Sequence, residues 1–293
     1  MRKSPIDGLL LVDKPSGPTS HDVVSIVRRA LGIKRVGHAG TLDPFATGLL
    51  VVLIGRATRL LPYLDAEPKE YEATVRFGVA TDTDDATGNV TSETALPSRP
   101  AVERAMAELT GDILQQPPAF SAKQVGGRRS YAAARRGELL ELAPVNVRVH
   151  SWSVRAWRDD EIDVVVVCSG GTYVRALGRD LGRTSGSSAH LSALRRTRSG
   201  PFTVARAITL DDIASGAANV LPPIEAVRSM PVERLGEDAL ARVVNGRAVD
   251  ATVAGQRAAL VDAAGELVAV AARGDIAGGG AVWQPRLVLR DAV

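Results

Sequence analysis

The sequence predicts an α+β fold: a mixed, mostly antiparallel sheet with flanking helices, followed by a small β unit. Three observations carry that prediction. Strand-like and helix-like segments alternate, but without the regular strand–helix–strand spacing of a parallel α/β protein. Aromatic residues are only 4% of the chain while hydrophobic residues are 45%, so a sizeable core has to be built from Val, Leu, Ile and Ala. Pro222-Pro223 and Pro231 then interrupt the pattern, and only short strand-like runs follow. The expected division is a large unit over residues 1–225 and a small one over 230–293.

Residues 9–12 read as a strand. Ser20 is placed to cap a helix whose apolar residues Val23, Val24, Ile26, Val27, Ala30 and Leu31 follow helical spacing, and Gly32 ends it. The segment 37–48 is too rich in Gly and Pro for the interior of a helix or strand and reads as a loop. The apolar run 49–54 reads as a buried strand. Residues 57–64 form a short amphipathic helix, and 71–77 alternate as a half-buried strand does. Pro100 opens a helix with Val102, Ala105, Met106 and Leu109 on one face. Residues 163–168 are a β-branched strand, and 173–181 a helix after the Gly170-Gly171 turn. Segment 117–141 has no clear period and carries Lys123, Arg128, Arg129, Arg135 and Arg136, long for a plain connection. In the small unit, 243–249, 258–262, 267–271 and 283–289 read as short strands, with Ala264-Gly265 at a hairpin turn.

Composition narrows the function classes. No run of 18 or more apolar residues exists, so no membrane span is expected, and the N-terminus lacks the apolar stretch of a signal peptide. Cys168 is the single cysteine, which rules out an internal disulfide. A cytoplasmic protein is the expectation. Net charge is +3, but residues 65–112 carry a net −7 and residues 121–206 a net +8. A polyanion-binding face needs such asymmetry. The acidic run at 82–93 invites a calcium-loop reading, but Thr87 stands where that loop needs Gly and Ala86 where it needs a ligand, so a turn-capping loop is preferred. The four histidines and one cysteine show no zinc spacing, and no nucleotide-binding glycine fingerprint occurs.

The strongest signal is the loop itself, Gly37-His38-Ala39-Gly40-Thr41-Leu42-Asp43-Pro44-Phe45-Ala46-Thr47-Gly48. It holds one carboxylate, Asp43, on a stiff segment anchored by the strand that follows, an arrangement that suits binding or catalysis. An Asp before Pro, taken alone, is a turn former. The whole string fills every specified position of GH-x-GTLDP-x-A-x-G-x-L and resembles the catalytic motif of the bacterial tRNA pseudouridine-55 synthases of the TruB type. Further stretches resemble that family in the expected order: residues 8–15, 19–24, 69–73 (Lys69-Glu70-Tyr71-Glu72-Ala73), 117–123, 170–175 and 194–202.

The resemblance implies isomerisation of uridine-55 in the T-loop of tRNA by an aspartate nucleophile acting on a flipped-out uridine, without cofactor or metal. It implies Asp43 as the nucleophile, Arg175 as its cation and Tyr71 as the residue under the base that receives or relays a proton. Tyr173 and Leu194 would line the base pocket, and His38 would stack in the RNA site. Lys14, Lys123 and Arg128 are expected phosphate contacts, on residue type and location. Segment 117–141 would grip the RNA, and the tail would be a PUA-like RNA-binding module. A standalone monomer binding the tRNA T-arm is expected. The rival reading is a tRNA-binding folding factor whose catalysis is secondary, since a basic segment and a β tail would serve either.

Overall fold

In the strand β4 (Lys69–Phe77), Tyr71, Ala73, Val75 and Phe77 are buried while the residues between them face outward, the period of two that the sequence announces. The computed structural model describes residues 6–120, 124–125, 128–129, 142–276 and 280–290. Its other main-sheet strands are β1 (Gly8–Lys14), β2 (Val36–Ala39), β3 (Thr47–Ile54), β7 (Gly111–Gln115), β10 (Val145–Trp157), β11 (Glu161–Cys168), β12 (Ala189–Ser199) and β13 (Phe202–Thr203). Two short pairs stand apart: β5 (Val79–Thr81) with β6 (Val90–Glu93), and β8 (Gln124–Val125) with β9 (Arg128–Arg129). The nine-stranded sheet runs β1-β3-β12-β4-β11-β10-β7, with β2 paired to β3 and β13 to β12. Within this sheet only the β3–β12 pairing is parallel, so the α+β expectation holds.

The run 49–54 does not alternate because both faces of β3 are covered. Leu50, Val52 and Ile54 pack with Val23, Val24 and Val27 of the helix α1 (Ser20–Leu31). Leu49, Val51 and Leu53 pack in a second core with Ala57 and Leu60, and with Ala259, Leu267, Val270 and Leu287 of a separate small sheet. Burying each such aliphatic side chain contributes about 1.5–3 kcal/mol, so β3 is the most firmly anchored strand next to the Asp43 loop.

The small sheet has five strands in the order β14-β16-β17-β18-β15, where β14 is Val232–Arg234, β15 Val249–Asp250, β16 Arg257–Val261, β17 Leu267–Ile276 and β18 Gly280–Val288. The hairpin turn at Ala264-Gly265 is present, with Gly265 donating its amide to Asp262. Among the described residues, no helix is long and apolar enough to cross a membrane.

Several local readings are corrected. Thr19, not Ser20, caps α1, because Asp22 lies three residues beyond Thr19 and completes a reciprocal capping box with it. Ser20 turns inward instead. Segment 37–48 is not all loop, since Val36–Ala39 adds to β3 as β2. The helix near 57–64 is a 3-10 helix, Gly55–Tyr63, containing Pro62. Residues 243–249 are not one strand. A helix, Glu237–Val244, ends in its first two residues and buries Val243, as the spacing of Ala239, Leu240, Val243 and Val244 allows, a turn follows, and only Val249 of the stretch is strand. Most of segment 117–141, including Lys123, lies outside the described residues.

Candidate active site

The Asp43 loop is fixed from beneath before any ligand arrives. Ser20 Oγ accepts the amide of Leu42 at 2.8 Å and donates to the same residue's carbonyl at 3.1 Å, which ties the loop to the first turn of α1. Lys14 sits at the end of β1, fully buried, and its ammonium donates to the carbonyls of Pro15, Pro18 and Pro44 at 2.8, 2.9 and 3.2 Å. Burial pushes its pKa down to about 8, and the Asp43 carboxylate pulls the other way. This corrects the expectation that Lys14 contacts phosphate. Its three donors are committed to carbonyls under the loop, and it acts as a positioning residue.

Arg175 reaches Asp43 from the helix α3 (Val174–Thr184), 132 residues along the chain. Its Nε donates to Asp43 Oδ2 at 2.9 Å and its Nη2 to Oδ1 at 3.1 Å, a two-pronged contact that fixes the carboxylate plane. The Arg175 side chain is only 5% exposed, whereas the Asp43 side chain is 36% exposed. The carboxylate is therefore gripped on one side and open on the other. Arg175 is itself held: Nη1 donates to the carbonyl of Thr83 at 2.7 Å, Nη2 to that of Phe120 at 2.8 Å, and buried Asp85 lies 3.5 Å from Nη1. The acidic loop read as turn-capping does cap its own turns, with Asp85 accepting from Thr83 and Thr87, and it also presents the Thr83 carbonyl and Asp85 to Arg175.

A cavity of about 240 Å³ opens over the pair and is lined by Gly40, Asp43, Lys69, Tyr71, Tyr173, Arg175 and Leu194, among others. Tyr71 and Leu194 come from adjacent strands, β4 and β12, where Leu194 is opposite Ala73 and Arg196 opposite Tyr71. Burial raises the Tyr71 phenol above its ordinary pKa, against the pull of the Arg196 guanidinium. Tyr173 precedes α3, and its backbone is clamped by Gln115, whose carboxamide accepts from Tyr173 N at 2.9 Å and donates to its carbonyl at 3.1 Å. The structure thus brings Asp43, Tyr71, Tyr173, Arg175 and Leu194 together. His38 lies in β2, half-buried, with Nδ1 unpartnered among the described residues and its pKa lowered first by burial and then by Arg196. Arg128 lies in β9.

Sequence reading assigned no role to Lys69, Arg196, Gln115, Thr83 or Asp85. Lys69 and Arg196 do stand inside the stretches 69–73 and 194–202, but nothing in their spacing announces a buried cation. Gly48 is the one small signal. With φ +98, it lets β3 approach β12 so closely that a Cβ there would lie 2.3 Å from the Arg196 carbonyl.

A family model described as the N-terminal domain of TruB family pseudouridylate synthase matches residues 28–174, and one described as the tRNA pseudouridylate synthase B C-terminal domain matches residues 175–227. The chain belongs to the TruB family of pseudouridylate synthases. Similar curated proteins named tRNA pseudouridine synthase B include one from Thermobifida fusca, 49% identical over 259 residues, covering 83% of this chain and 86% of that one. Another, from Cutibacterium acnes, is 47% identical over 273 residues, covering 90% and 92%. A solved structure of an H/ACA ribonucleoprotein bound to a substrate RNA containing 2′-deoxyuridine shares the fold, with a TM-score of 0.72 over 97% of this chain and 86% of that one at 24% identity.

Proposed function

We propose that this enzyme converts uridine-55 in the T-loop of tRNA to pseudouridine, with Asp43 as the nucleophile. The observation that carries the reading is a carboxylate held two-pronged by a buried guanidinium, with its free side facing a cavity of one-nucleotide size. The relatives named tRNA pseudouridine synthase B support tRNA as the substrate. The reaction exchanges the bond from ribose C1′ to uracil N1 for a bond from C1′ to C5, and a proton leaves C5 while N1 gains one. Atoms and electrons balance without oxidant, reductant or metal.

The open side of Asp43 is where an extruded uridine would enter, at a cost of a few kcal/mol for leaving the RNA stack. The entering nucleotide would displace water from the exposed part of the carboxylate, and Arg175 would keep the carboxylate oriented toward the reacting carbon. Tyr71 lines the cavity and would pack under the base. Burial keeps its phenol protonated, so its oxygen would take the C5 proton only as it releases its own hydroxyl proton to another acceptor, a relay with no net change on Tyr71. Tyr173 and Leu194 would wall the base, and His38 would stack against neighbouring RNA. Arg128 and Lys123 would contact phosphates, and the small β unit over 230–293 would bind RNA beside the catalytic unit.

The test is incubation with unmodified tRNA transcript followed by mapping of pseudouridine. Product at position 55 from the wild type, and none from Asp43→Asn with tRNA affinity kept, is the expected outcome. The folding-factor reading makes a different prediction, that the main effect on tRNA folding survives Asp43→Asn.

A further inference from the structure

One part of the cavity gathers positive charge with no bonded acidic partner among the described residues. Arg196 is 1% exposed, and its Nε and Nη2 donate to the carbonyls of Leu49 at 2.7 Å and Gly40 at 3.0 Å. Among the described residues its Nη1 is buried without a hydrogen-bond partner. The Lys69 ammonium converges on the same spot. A Cβ added to Gly40 would lie 2.7 Å from Lys69 Nζ and 3.4 Å from Arg196 Nη1. Both Gly40 and Lys69 line the cavity that holds Asp43. Among the described residues Lys69 makes no hydrogen bond or ion pair. The half-buried His38, also near Arg196, adds a third basic group with an unpartnered nitrogen.

Gathering cations in a half-buried place without an anion is unfavourable. The carboxylate of the cavity does not relieve it, because Asp43 is already engaged by Arg175. Glu67 is the acidic side chain whose field Lys69 feels, but it is exposed and unbonded to it. The negative charge is then left for the ligand to bring. Uracil and ribose are neutral, so in an RNA the anion beside the reacting nucleoside is its phosphodiester.

We propose that Lys69, backed by the fixed charge of Arg196, binds a backbone phosphate flanking the uridine that enters the cavity. This rests on the function proposed above. Lys69 is the group that touches the phosphate. Arg196 is a positioning residue, since its two carbonyl bonds fix its charge behind the lysine. Gly40 leaves the gap that a phosphate oxygen fills, and any side chain there would close it. The depressed pKa of free Lys69, set first by burial and then by Arg196, accords with a site whose counter-ion arrives with substrate.

The experiment uses the full chain and a T-arm stem-loop RNA, unmodified or carrying a single neutral methylphosphonate on the 5′ or the 3′ side of the target uridine. Lys69→Met is expected to weaken binding roughly tenfold, the size of one charge-assisted hydrogen bond, and to reduce the slope of log affinity against log salt by about 0.7–0.9. Lys69→Arg should restore the slope. One of the two methylphosphonates should weaken wild-type binding similarly and have no further effect on Lys69→Met. A slope unchanged in Lys69→Met, or methylphosphonate losses equal in both proteins at both positions, overturns the phosphate contact. Binding is read apart from turnover. Absence of product with the wild type and unmodified RNA rejects the reading of function, whereas product with an unchanged slope rejects the phosphate contact alone. Thermal melting of both variants checks the fold, and Met at a half-buried strand position is expected to be tolerated.

Discussion

The two sides of the cavity differ in how their charges are satisfied. Around Arg175 the acceptors are in place: the Asp43 carboxylate, the carbonyls of Thr83 and Phe120, and Asp85. Around Gly40 stand donors without a protein acceptor among the described residues, the Lys69 ammonium and Arg196 Nη1. The first side is complete without ligand and holds a protein carboxylate still. The second is incomplete and is arranged for something that arrives. Rate should therefore depend most on the satisfied side, and affinity and its salt dependence on the unsatisfied one.

The largest effect expected is for Asp43→Asn. The substitution keeps the shape but removes the charge that Arg175 holds, and we predict a loss of at least ~10⁴-fold in single-turnover rate, with the tRNA dissociation constant within a few-fold of wild type. Parallel collapse of rate and affinity would erase the contrast between the two sides. Arg175→Lys comes next. A lysine keeps the charge but cannot make the two-pronged contact, so roughly a hundredfold loss in rate is expected from misplacement of the carboxylate, again at nearly constant affinity. Measured kcat and dissociation constant moving together would show that Arg175 serves binding instead. Asp85→Asn should cost less, about tenfold in rate, because Arg175 keeps its bonds to Asp43 and to two carbonyls; a rate equal to wild type would remove Asp85 from the positioning set.

How much of this could be read beforehand follows from which physical signals survive in one dimension. Strand β4 was legible because one face is core and the other is not. Strand β3 was legible as a run but not as a doubly covered strand, since what covers it comes from residues 23–27 and 257–289. Strand β12, at the centre of the sheet, was missed. Its pairing with β4 shifts register between Leu191 and Ala193 and again between Arg196 and Arg198, which breaks the period of two, and it buries an arginine where the pattern asks for an apolar residue. Asp43 and Arg175 were named together only through resemblance, because no spacing rule links residues 132 apart. The acceptors around Arg175 and the burial of Lys14 had no signal at all. Lys14 was misassigned because lysine is usually exposed, and its commitment to three carbonyls is a tertiary fact.

The smallest effect on chemistry, and the sharpest check on what holds the loop, belongs to Lys14→Met. The side chains are similar in length, but the substitution leaves three carbonyls beneath the Asp43 loop without their donor. We expect destabilisation of about 1–3 kcal/mol, read as a lower melting temperature, and a loss in rate of only a few-fold if Ser20 and Arg175 keep the loop in place. The pH dependence has a definite sign. The folded-state pKa of Lys14 is lowered, from 10.5 to about 8, so above pH 8 the folded protein releases a proton that the unfolded chain still keeps. Wild-type stability therefore gains from this group as pH rises from about 8 toward 10.5, and Lys14→Met has no such gain. The melting deficit of the variant should widen over that interval. A deficit that stays flat or narrows would mean that the buried ammonium keeps its proton throughout, held by the three carbonyls and Asp43 against the cost of burial.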